Sequence, residues 1–241
     1  MRDAVARRLF TLIGRLIGAV GRIGKRAGAL VVLTAGVTVL WSTAPAYGAD
    51  LTRTQAVAAL VHPQPFQRLA GVQRLADIGR FDDGPRLLNA LRDVEEPIRE
   101  AAEAALWQIW SRSGDAAIDK LYARGIEQMQ AQDFEQALAT FDAIVRRKPA
   151  FAEGWNKRAT LRFMLGQHAE SLLDCDEVLQ RNRHHFGALS GAGQIHLLLG
   201  RPQRALEFFQ RALEVNPNLQ GPAEMVPKLR ELVRGQGRHS T

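Results

Sequence analysis

Residues 186–219 read FGALSGAGQIHLLLGRPQRALEFFQRALEVNPNL. Apolar residues recur at helical spacing on both sides of Gly200, and Pro217 stands near the end of the stretch. Such spacing is typical of two amphipathic helices separated by a turn. Gly and Ala stand where the two helices would touch, so the stretch predicts a tightly paired helical hairpin.

The same pattern occurs twice more upstream, at an offset of 34 residues. Residues 118–151 and 152–185 align with 186–219 at six positions, which hold Leu121, Trp155 and Leu189; Gly125, Ala159 and Gly193; Ala137, Ser171 and Ala205; Phe141, Cys175 and Phe209; Ile144, Val178 and Ala212; Pro149, Arg183 and Pro217. This period and these residue types resemble the tetratricopeptide repeat (TPR). The resemblance implies three stacked helical hairpins over residues 118–219, with Arg183 departing from the usual proline.

Two segments follow the three repeats at the carboxyl end. Residues 220–234 place apolar side chains on one helical face, namely Met225, Val226, Leu229, Leu232 and Val233. A solenoid needs such a helix to cover its last apolar face, so we expect a capping helix here. Residues 235–241 are expected to form a flexible tail.

A different repeat precedes the TPR units. PFQRLAGVQRLADIG (65–79) matches EPIREAAEAALWQIW (96–110) at an offset of 31 residues, with Arg68 and Arg99 at equivalent positions. The segment from 51 to 113 resembles a HEAT-like helical module. In HEAT repeats an Asp about six residues before such an Arg ties neighbouring repeats together, and Asp93 fits that spacing before Arg99. His62 occupies the Asp position before Arg68, which puts an ion-pair ladder in doubt there.

Composition and charge limit the possible functions. Of the 241 residues, 46% are hydrophobic and 24% are charged, which is typical of a globular chain. Cys175 is the single cysteine, so no disulfide forms within the chain. Residues 1–48 carry seven basic residues and one acidic residue, and the remaining 193 carry 25 basic and 24 acidic residues. This near-neutral body gives no electrostatic reason to expect nucleic acid as a partner.

Residues 1–48 have the features of a secretory leader. Basic residues precede an uncharged stretch from Ala27 to Ala49, and small residues allow cleavage after Ala46 or, as we favour, after Gly48. The alternative is a retained membrane anchor, because the uncharged stretch reaches spanning length. Both interpretations place the body outside the cytoplasm, in the periplasm or otherwise exported, with the membrane contacted only through this leader.

The sequence contains no convincing catalytic or metal-binding arrangement. The adjacent His184 and His185 point in different directions on a helix, and no acidic or Cys ligand follows at a suitable spacing. Cys175 falls at a core position, where a thiol is inert. The run GALSGAG (187–193) matches neither a phosphate loop nor a serine elbow. We therefore predict no cofactor, no metal and no enzymatic activity, and we regard an enzyme assembled from scattered residues as improbable.

The resemblance to TPR arrays also implies a concave groove lined by the first helix of each repeat. Projected onto this sequence, the groove residues are Tyr122, Ile126 and Met129; Asn156, Thr160 and Phe163; and Ser190, Gln194 and Leu197. These side chains lack charge, unlike the carboxylate clamp of chaperone-binding TPR domains. An apolar and amide-rich groove suits an extended peptide or an amphipathic helix. The competing interpretation is that Ile126, Met129, Phe163 and Leu197 simply cover neighbouring helices.

These observations predict an all-α helical-repeat solenoid, in which HEAT-like helices are followed by three TPR units and a capping helix. The expected function is non-catalytic binding of a protein or peptide, as a scaffold or adaptor in the cell envelope. The alternative is a membrane-anchored structural subunit of an envelope complex, with the leader retained.

Overall fold

A computed structural model describes residues 50–238, which form eleven α-helices and one short 3-10 helix. No strand occurs among these residues, which confirms the predicted all-α class. The helices are α1 (Arg53–Ala59), α2 (Pro65–Ile78), α3 (Gly84–Ala90), α4 (Glu96–Trp110), α5 (Ala116–Gln130), α6 (Phe134–Arg147), α7 (Ala152–Met164), α8 (His168–Arg181), α9 (Phe186–Leu198), α10 (Pro202–Val215) and α11 (Gln220–Arg238).

Six of these helices form the three predicted hairpins, which pair α5 with α6, α7 with α8 and α9 with α10. The repeat positions assigned to helix contacts are buried in all three copies: Gly125, Ala159 and Gly193; Ala137, Ser171 and Ala205; Phe141, Cys175 and Phe209; Ile144, Val178 and Ala212. At the early large position, Leu189 is buried whereas Leu121 and Trp155 are half-buried. The 34-residue spacing therefore identified the core of each hairpin.

The helices of each hairpin approach closely because one small residue faces one core residue. A Cβ added to Gly125 would lie 2.7 Å from the Phe141 ring, and one added to Gly193 would lie 2.7 Å from the Phe209 ring. In the second repeat the corresponding pair is Ala159 and Cys175. Ala159 is one methyl group larger than glycine, and Cys175, which faces it, is smaller than the phenylalanine of the other two repeats.

The turn inside each hairpin uses a left-handed backbone conformation at equivalent positions. Gly166 and Gly200 adopt φ angles of 76° and 67° in the second and third repeats. Gln132 occupies this position in the first repeat, with φ 62°. Because a side chain is strained in this region, the first repeat has the least favourable turn residue of the three.

The last helix differs from the sequence-based expectation only in its length. Helix α11 packs on α10 and buries Met225, Val226 and Leu229, as a capping helix would. It continues to Arg238, so residues 235–238, expected to belong to a flexible tail, are helical. The capping segment is therefore a longer helix than the apolar pattern indicated.

Helices α1 to α4 form what we call the N-terminal unit, which corresponds to the segment predicted as HEAT-like. Asp93 binds the Arg68 guanidinium through two contacts of 2.7 and 2.8 Å, and so ties α2 to the turn before α4. Arg99 instead donates to the backbone carbonyl of Asp93 at 2.9 Å. Asp93 therefore connects neighbouring helix pairs, as the resemblance implied, but its carboxylate pairs with Arg68 and not with Arg99. The doubt that His62 raised about an ion pair at Arg68 is wrong, because Asp93 of the next helix pair supplies the carboxylate.

The N-terminal unit packs against the row of turns that joins one TPR hairpin to the next. Arg99 donates to the Asn218 side chain at 3.2 Å, and Asn216 donates to Glu103 at 2.8 Å. Phe186, at the start of α9, is buried in the apolar cluster of the N-terminal unit. The two regions therefore share a core rather than following one another as separate stacks.

The predicted leader, residues 1–48, lies outside the described residues, so its cleavage or retention stays a prediction. Among residues 50–238, none of the helices combines the length and the apolar character that crossing a bilayer requires.

The close contact at Gly193 predicts that adding a single methyl group destabilises the protein. Gly193→Ala should lower the free energy of unfolding by about 1 to 3 kcal/mol, because the buried Phe209 ring has no room to move away. Gly191 is the matched control on the same helix, since an added Cβ there meets nothing within 4 Å. Gly191→Ala should leave stability unchanged or raise it by up to about 1 kcal/mol. Urea denaturation measures both, and equal effects at the two glycines would contradict this packing.

Candidate functional site

A groove opens on the face of the array between α7 and α9, with a volume of about 210 Å³. Five predicted groove residues line it, and we call this set the peptide groove: Asn156, Thr160, Phe163, Ser190 and Gln194. Thr160 and Gln194 are exposed, whereas Phe163 and Ser190 are half-buried. The structure thus brings the predicted residues of the second and third repeats together in one groove, and their role in binding stays a prediction.

The other four predicted residues do not line this groove. Tyr122, Ile126 and Met129 of α5 pack on the apolar cluster of the first repeat, and Leu197 is 8% exposed. The Tyr122 ring lies 5.9 Å from the Phe141 ring and 5.6 Å from the Phe151 ring, measured between centroids. The repeat register suggested that Tyr122 is an exposed aromatic residue in the groove. Its ring instead packs against other aromatic rings of the first repeat.

The peptide groove offers neutral hydrogen-bonding groups beside apolar surface, and none of the residues that line it is charged. The Ser190 hydroxyl oxygen is buried and makes no hydrogen bond within the described part of the chain, so the accessible polar side chains of the groove are those of Thr160 and Gln194. The Thr160 hydroxyl donates to the Asn156 carbonyl at 3.0 Å and keeps its own lone pairs for a further donor. Such a surface can bind a backbone amide or carbonyl but has no cation to neutralise a carboxylate.

A buried carboxylate lies at the start of α7, next to the groove residue Asn156. Glu153 has no exposed surface, and its Oε1 accepts hydrogen bonds from Asn156 at 3.1 Å and from Lys157 Nζ at 3.0 Å. Its Oε2 lies 2.9 Å from Nε2 of His185, the N-cap residue of α9. The Tyr122 hydroxyl also donates to Oε1, at 3.3 Å.

His185 connects this carboxylate to the start of α9. Its Nδ1 accepts the backbone N–H of Ala188 at 3.1 Å, and so caps the helix. Because Nδ1 is an acceptor, the ring proton lies on Nε2 and is donated to Glu153. His185 is fully buried, so both of its nitrogen atoms are used within the protein.

Two tryptophans of α4 enclose this pair from the N-terminal unit. The Trp110 ring stacks on His185 with a centroid distance of 4.8 Å, and Trp107 meets the same imidazole edge-on at 5.3 Å. Lys157 Nζ lies 5.8 Å from the Trp107 ring, within range of a cation–π contact. A Cβ on Gly187 would collide with Trp107, so the glycine permits this close approach.

Burial and hydrogen bonding act in opposite directions on Glu153. Desolvation raises the pKa of its carboxyl group, but the hydrogen bond from His185 and the charge of Lys157 outweigh it and lower the pKa to about 2. Burial, with the nearby Glu153 charge, raises the pKa of Tyr122 well above its usual range. The cluster is therefore a fixed ionised carboxylate with neutral aromatic neighbours, which is a structural arrangement.

Sequence reasoning missed this cluster. Glu153 and His185 are 32 residues apart, and no motif spacing connects them. The available signal was the presence of Trp107 and Trp110 one helical turn apart, which marks a face of α4 that must be covered.

The remaining polar candidates also have packing or ion-pair roles. Asp174 is buried and binds Arg158 at 2.7 Å and Arg162 at 2.9 Å. Burial, with the Asp174 charge beside it, raises the pKa of Cys175 to about 12, so the thiol stays protonated at neutral pH. The His196 ring stacks on Phe208 at 5.3 Å. Within residues 50–238, no three His, Cys, Asp or Glu side chains come together to hold a metal ion.

Stacked helical hairpins with small residues at their contacts, and an open groove between first helices, define an all-α helical-repeat protein. Two family models, both described as tetratricopeptide repeat, match residues 122–183 and 188–219. A TPR repeat-containing protein of Rhizobium etli is 35% identical over 151 residues, which cover 62% of this chain and 74% of that protein. The chain therefore belongs to the tetratricopeptide repeat family.

More distant relatives share only the repeat region. The Hsp70-Hsp90 organizing protein of Triticum aestivum is 23% identical over 121 residues, which cover 48% of this chain and 21% of that protein. Among solved structures, the first TPR of Spaghetti (RPAP3) bound to an HSP90 peptide is 20% identical with a TM-score of 0.47. That similarity covers 48% of this chain and 93% of the other.

The lowered pKa of Glu153 predicts how stability depends on pH. An ionised carboxylate with a folded pKa near 2 and an ordinary pKa of 4.5 stabilises the protein fully above pH 4.5, and this contribution is lost as the pH falls towards 2. Glu153→Gln should lower the free energy of unfolding by about 3 kcal/mol at neutral pH. The variant should also lose less stability than the native protein as the pH falls.

The control is Glu207→Gln, because Glu207 forms an exposed pair with Arg204 on α10. This substitution should change the free energy of unfolding by less than about 1 kcal/mol at any pH. Denaturant titrations from acid to neutral pH measure both variants. An acid decline that is equally steep in Glu153→Gln and in the native protein would contradict the assignment.

Proposed function

We propose that the protein is a non-catalytic interaction scaffold or adaptor, which binds an extended peptide or a helix of another protein in the peptide groove. The observation that carries this proposal is the open, uncharged surface between α7 and α9. There the half-buried Phe163 lines the same groove as the exposed side chains of Thr160 and Gln194, which can form hydrogen bonds with a bound backbone. Apolar contact and backbone hydrogen bonding together are what peptide recognition requires.

The chemistry of the groove also limits the partner. An acidic C-terminal carboxylate needs a cation, and no charged residue lines the groove. A segment with an apolar side chain for Phe163, and with backbone or amide groups for Thr160 and Gln194, is the better match. The partner is therefore a protein segment of apolar and neutral polar character.

The other polar groups support a binding role rather than catalysis. The Cys175 thiol stays protonated, the Asp174 carboxylate is paired with arginines, and the Glu153 carboxylate is paired with Lys157 and accepts the His185 N–H. Each of these groups stabilises a contact between helices. None of them is both activated and exposed to the groove, which is what a catalytic group would need.

We place this scaffold in the cell envelope on the basis of the leader-like residues 1–48. Basic residues before an uncharged stretch, followed by small residues, are typical of an export signal. The alternative is a membrane-anchored structural subunit of an envelope complex, which requires the same segment to be retained.

Site-specific crosslinking in cells tests the groove. A photoreactive amino acid at Thr160 or Gln194, both exposed in the groove, should capture one partner of defined mass. Leu173 on α8 is the matched control, because it is 65% exposed and does not line the groove. Mass spectrometry identifies the adducts. Equal capture from Leu173, or capture from neither groove position, would count against this function.

Export is tested by fusing alkaline phosphatase to the carboxyl end, because this enzyme is active only outside the cytoplasm. We expect an active fusion, whereas a stable but inactive fusion would exclude the envelope location. N-terminal sequencing of the exported protein then separates the two alternatives. A mature terminus at Tyr47 or Ala49 supports the cleaved scaffold, and an intact terminus supports the anchored subunit.

A further inference from the structure

A second cleft, of about 510 Å³, lies between the N-terminal unit and the third TPR hairpin. Helix α3 and the turn after it form one wall, and the α8–α9 turn and the end of α10 form the other. The half-buried Leu88 and Val215 give it an apolar surface, while Arg92, Arg183, His184 and Arg211 also line it. We call it the basic cleft.

The positive charge of the basic cleft is poorly neutralised. Glu214 supplies the one carboxylate among the residues that line it. The Arg92 guanidinium donates to the backbone carbonyls of Val215 and Glu214, so it is held in place without an acidic partner. Elsewhere in residues 50–238, Arg68 and Arg158 each bind a carboxylate through two contacts.

Arg183 and Arg211 are exposed, and neither forms an ion pair within the part of the chain that the structure describes. The Arg211 guanidinium lies over the Phe208 ring at 5.2 Å, within range of a cation–π contact. Two guanidinium groups in one cleft repel each other unless an anion lies between them. Both are therefore available to a ligand.

Arg183 is also not needed by the fold at its position. The first and third repeats have Pro149 and Pro217 there, and proline suits a turn. The α8–α9 turn is held instead by the Asn182 side chain, which accepts the His184 N–H at 3.2 Å, as Asn216 accepts the Asn218 N–H at 3.0 Å. Because the turn forms in the same way without an arginine, the charge of Arg183 has no structural partner to explain it.

We propose that the basic cleft binds a phosphate monoester attached to a small apolar body. A phosphate monoester carries a charge of about −1.5 to −2 and three acceptor oxygens, which match two free guanidinium groups and an adjacent imidazole. A single carboxylate carries about half of that charge and would leave one guanidinium unneutralised. Leu88 and Val215 provide a surface for the organic part of the ligand.

His184 gives this proposal a spectroscopic signature. Burial, followed by the charge of Arg183, lowers the pKa of its imidazole in the free protein. A bound dianion would reverse that effect and favour the charged ring. The pKa of His184, followed by NMR, should therefore rise when the cleft is saturated.

The proposal is tested by isothermal titration calorimetry, in which phenyl phosphate is titrated into the protein at low ionic strength. Benzoate serves as the carboxylate of similar shape. We expect phenyl phosphate to bind and benzoate to bind at least about tenfold more weakly. The double variant Arg183→Gln/Arg211→Gln should weaken phenyl phosphate at least about tenfold while its melting curve stays unchanged.

The control variant Arg146→Gln/Arg147→Gln removes the same charge from the exposed end of α6, and it should change the dissociation constant by less than about twofold. Absence of phenyl phosphate binding, equal binding of benzoate, or an equal loss in the control variant would each overturn the proposal.

A second arm separates the two sources of a phosphate monoester. Phosphatidylcholine vesicles with and without phosphatidate are sedimented with the protein. Phosphatidate-dependent binding that is lost in the Arg183/Arg211 variant, together with phenyl phosphate binding, identifies a lipid headgroup. Phenyl phosphate binding alone identifies a soluble compound, whereas vesicle binding without it overturns the site. The proposal is independent of the peptide groove.

Discussion

A carboxylate with no access to water can exist in a folded protein only if specific groups replace the water it loses. Glu153 meets that requirement with donors from two repeats, namely Tyr122 of the first and Asn156 and Lys157 of the second, and with His185, the N-cap residue of α9. The relative positions of the three hairpins are thereby fixed at their shared edge. His185 adds the start of α9 to the same arrangement through its cap.

The N-terminal unit completes this constraint by covering the pair with Trp107 and Trp110. Helix α4 packs against the edge of the array that the inter-repeat turns form. The surface between α7 and α9 therefore stays open. One side of the array is therefore occupied by the chain itself, while the peptide groove remains accessible. The same packing creates the basic cleft, since its two walls come from different units.

The sequence predicted what depends on local spacing. Positions such as Gly125, Ala137 and Ile144 are buried because a 34-residue repeat places them at helix contacts, whatever surrounds the hairpin. The residues that line the peptide groove come together for the same reason, since the repeat register sets their positions on α7 and α9. Tyr122 was misplaced because its environment depends on Glu153 and on the aromatic rings of its own repeat. The packing of α4 could not be predicted, because it depends on contacts such as Glu103 with Asn216, which are 113 residues apart.

The facing pairs inside the hairpins have a consequence for how such arrays diversify. Gly193 faces Phe209, whereas Ala159 faces Cys175, so each hairpin fills the same space with a different division of volume between its two helices. Transplanting one residue from the second repeat into the third would leave either a collision or a void. The smallest unit that can be exchanged between repeats is therefore the facing pair of residues. A substitution in one helix is tolerated only if the facing residue of the partner helix leaves room for it.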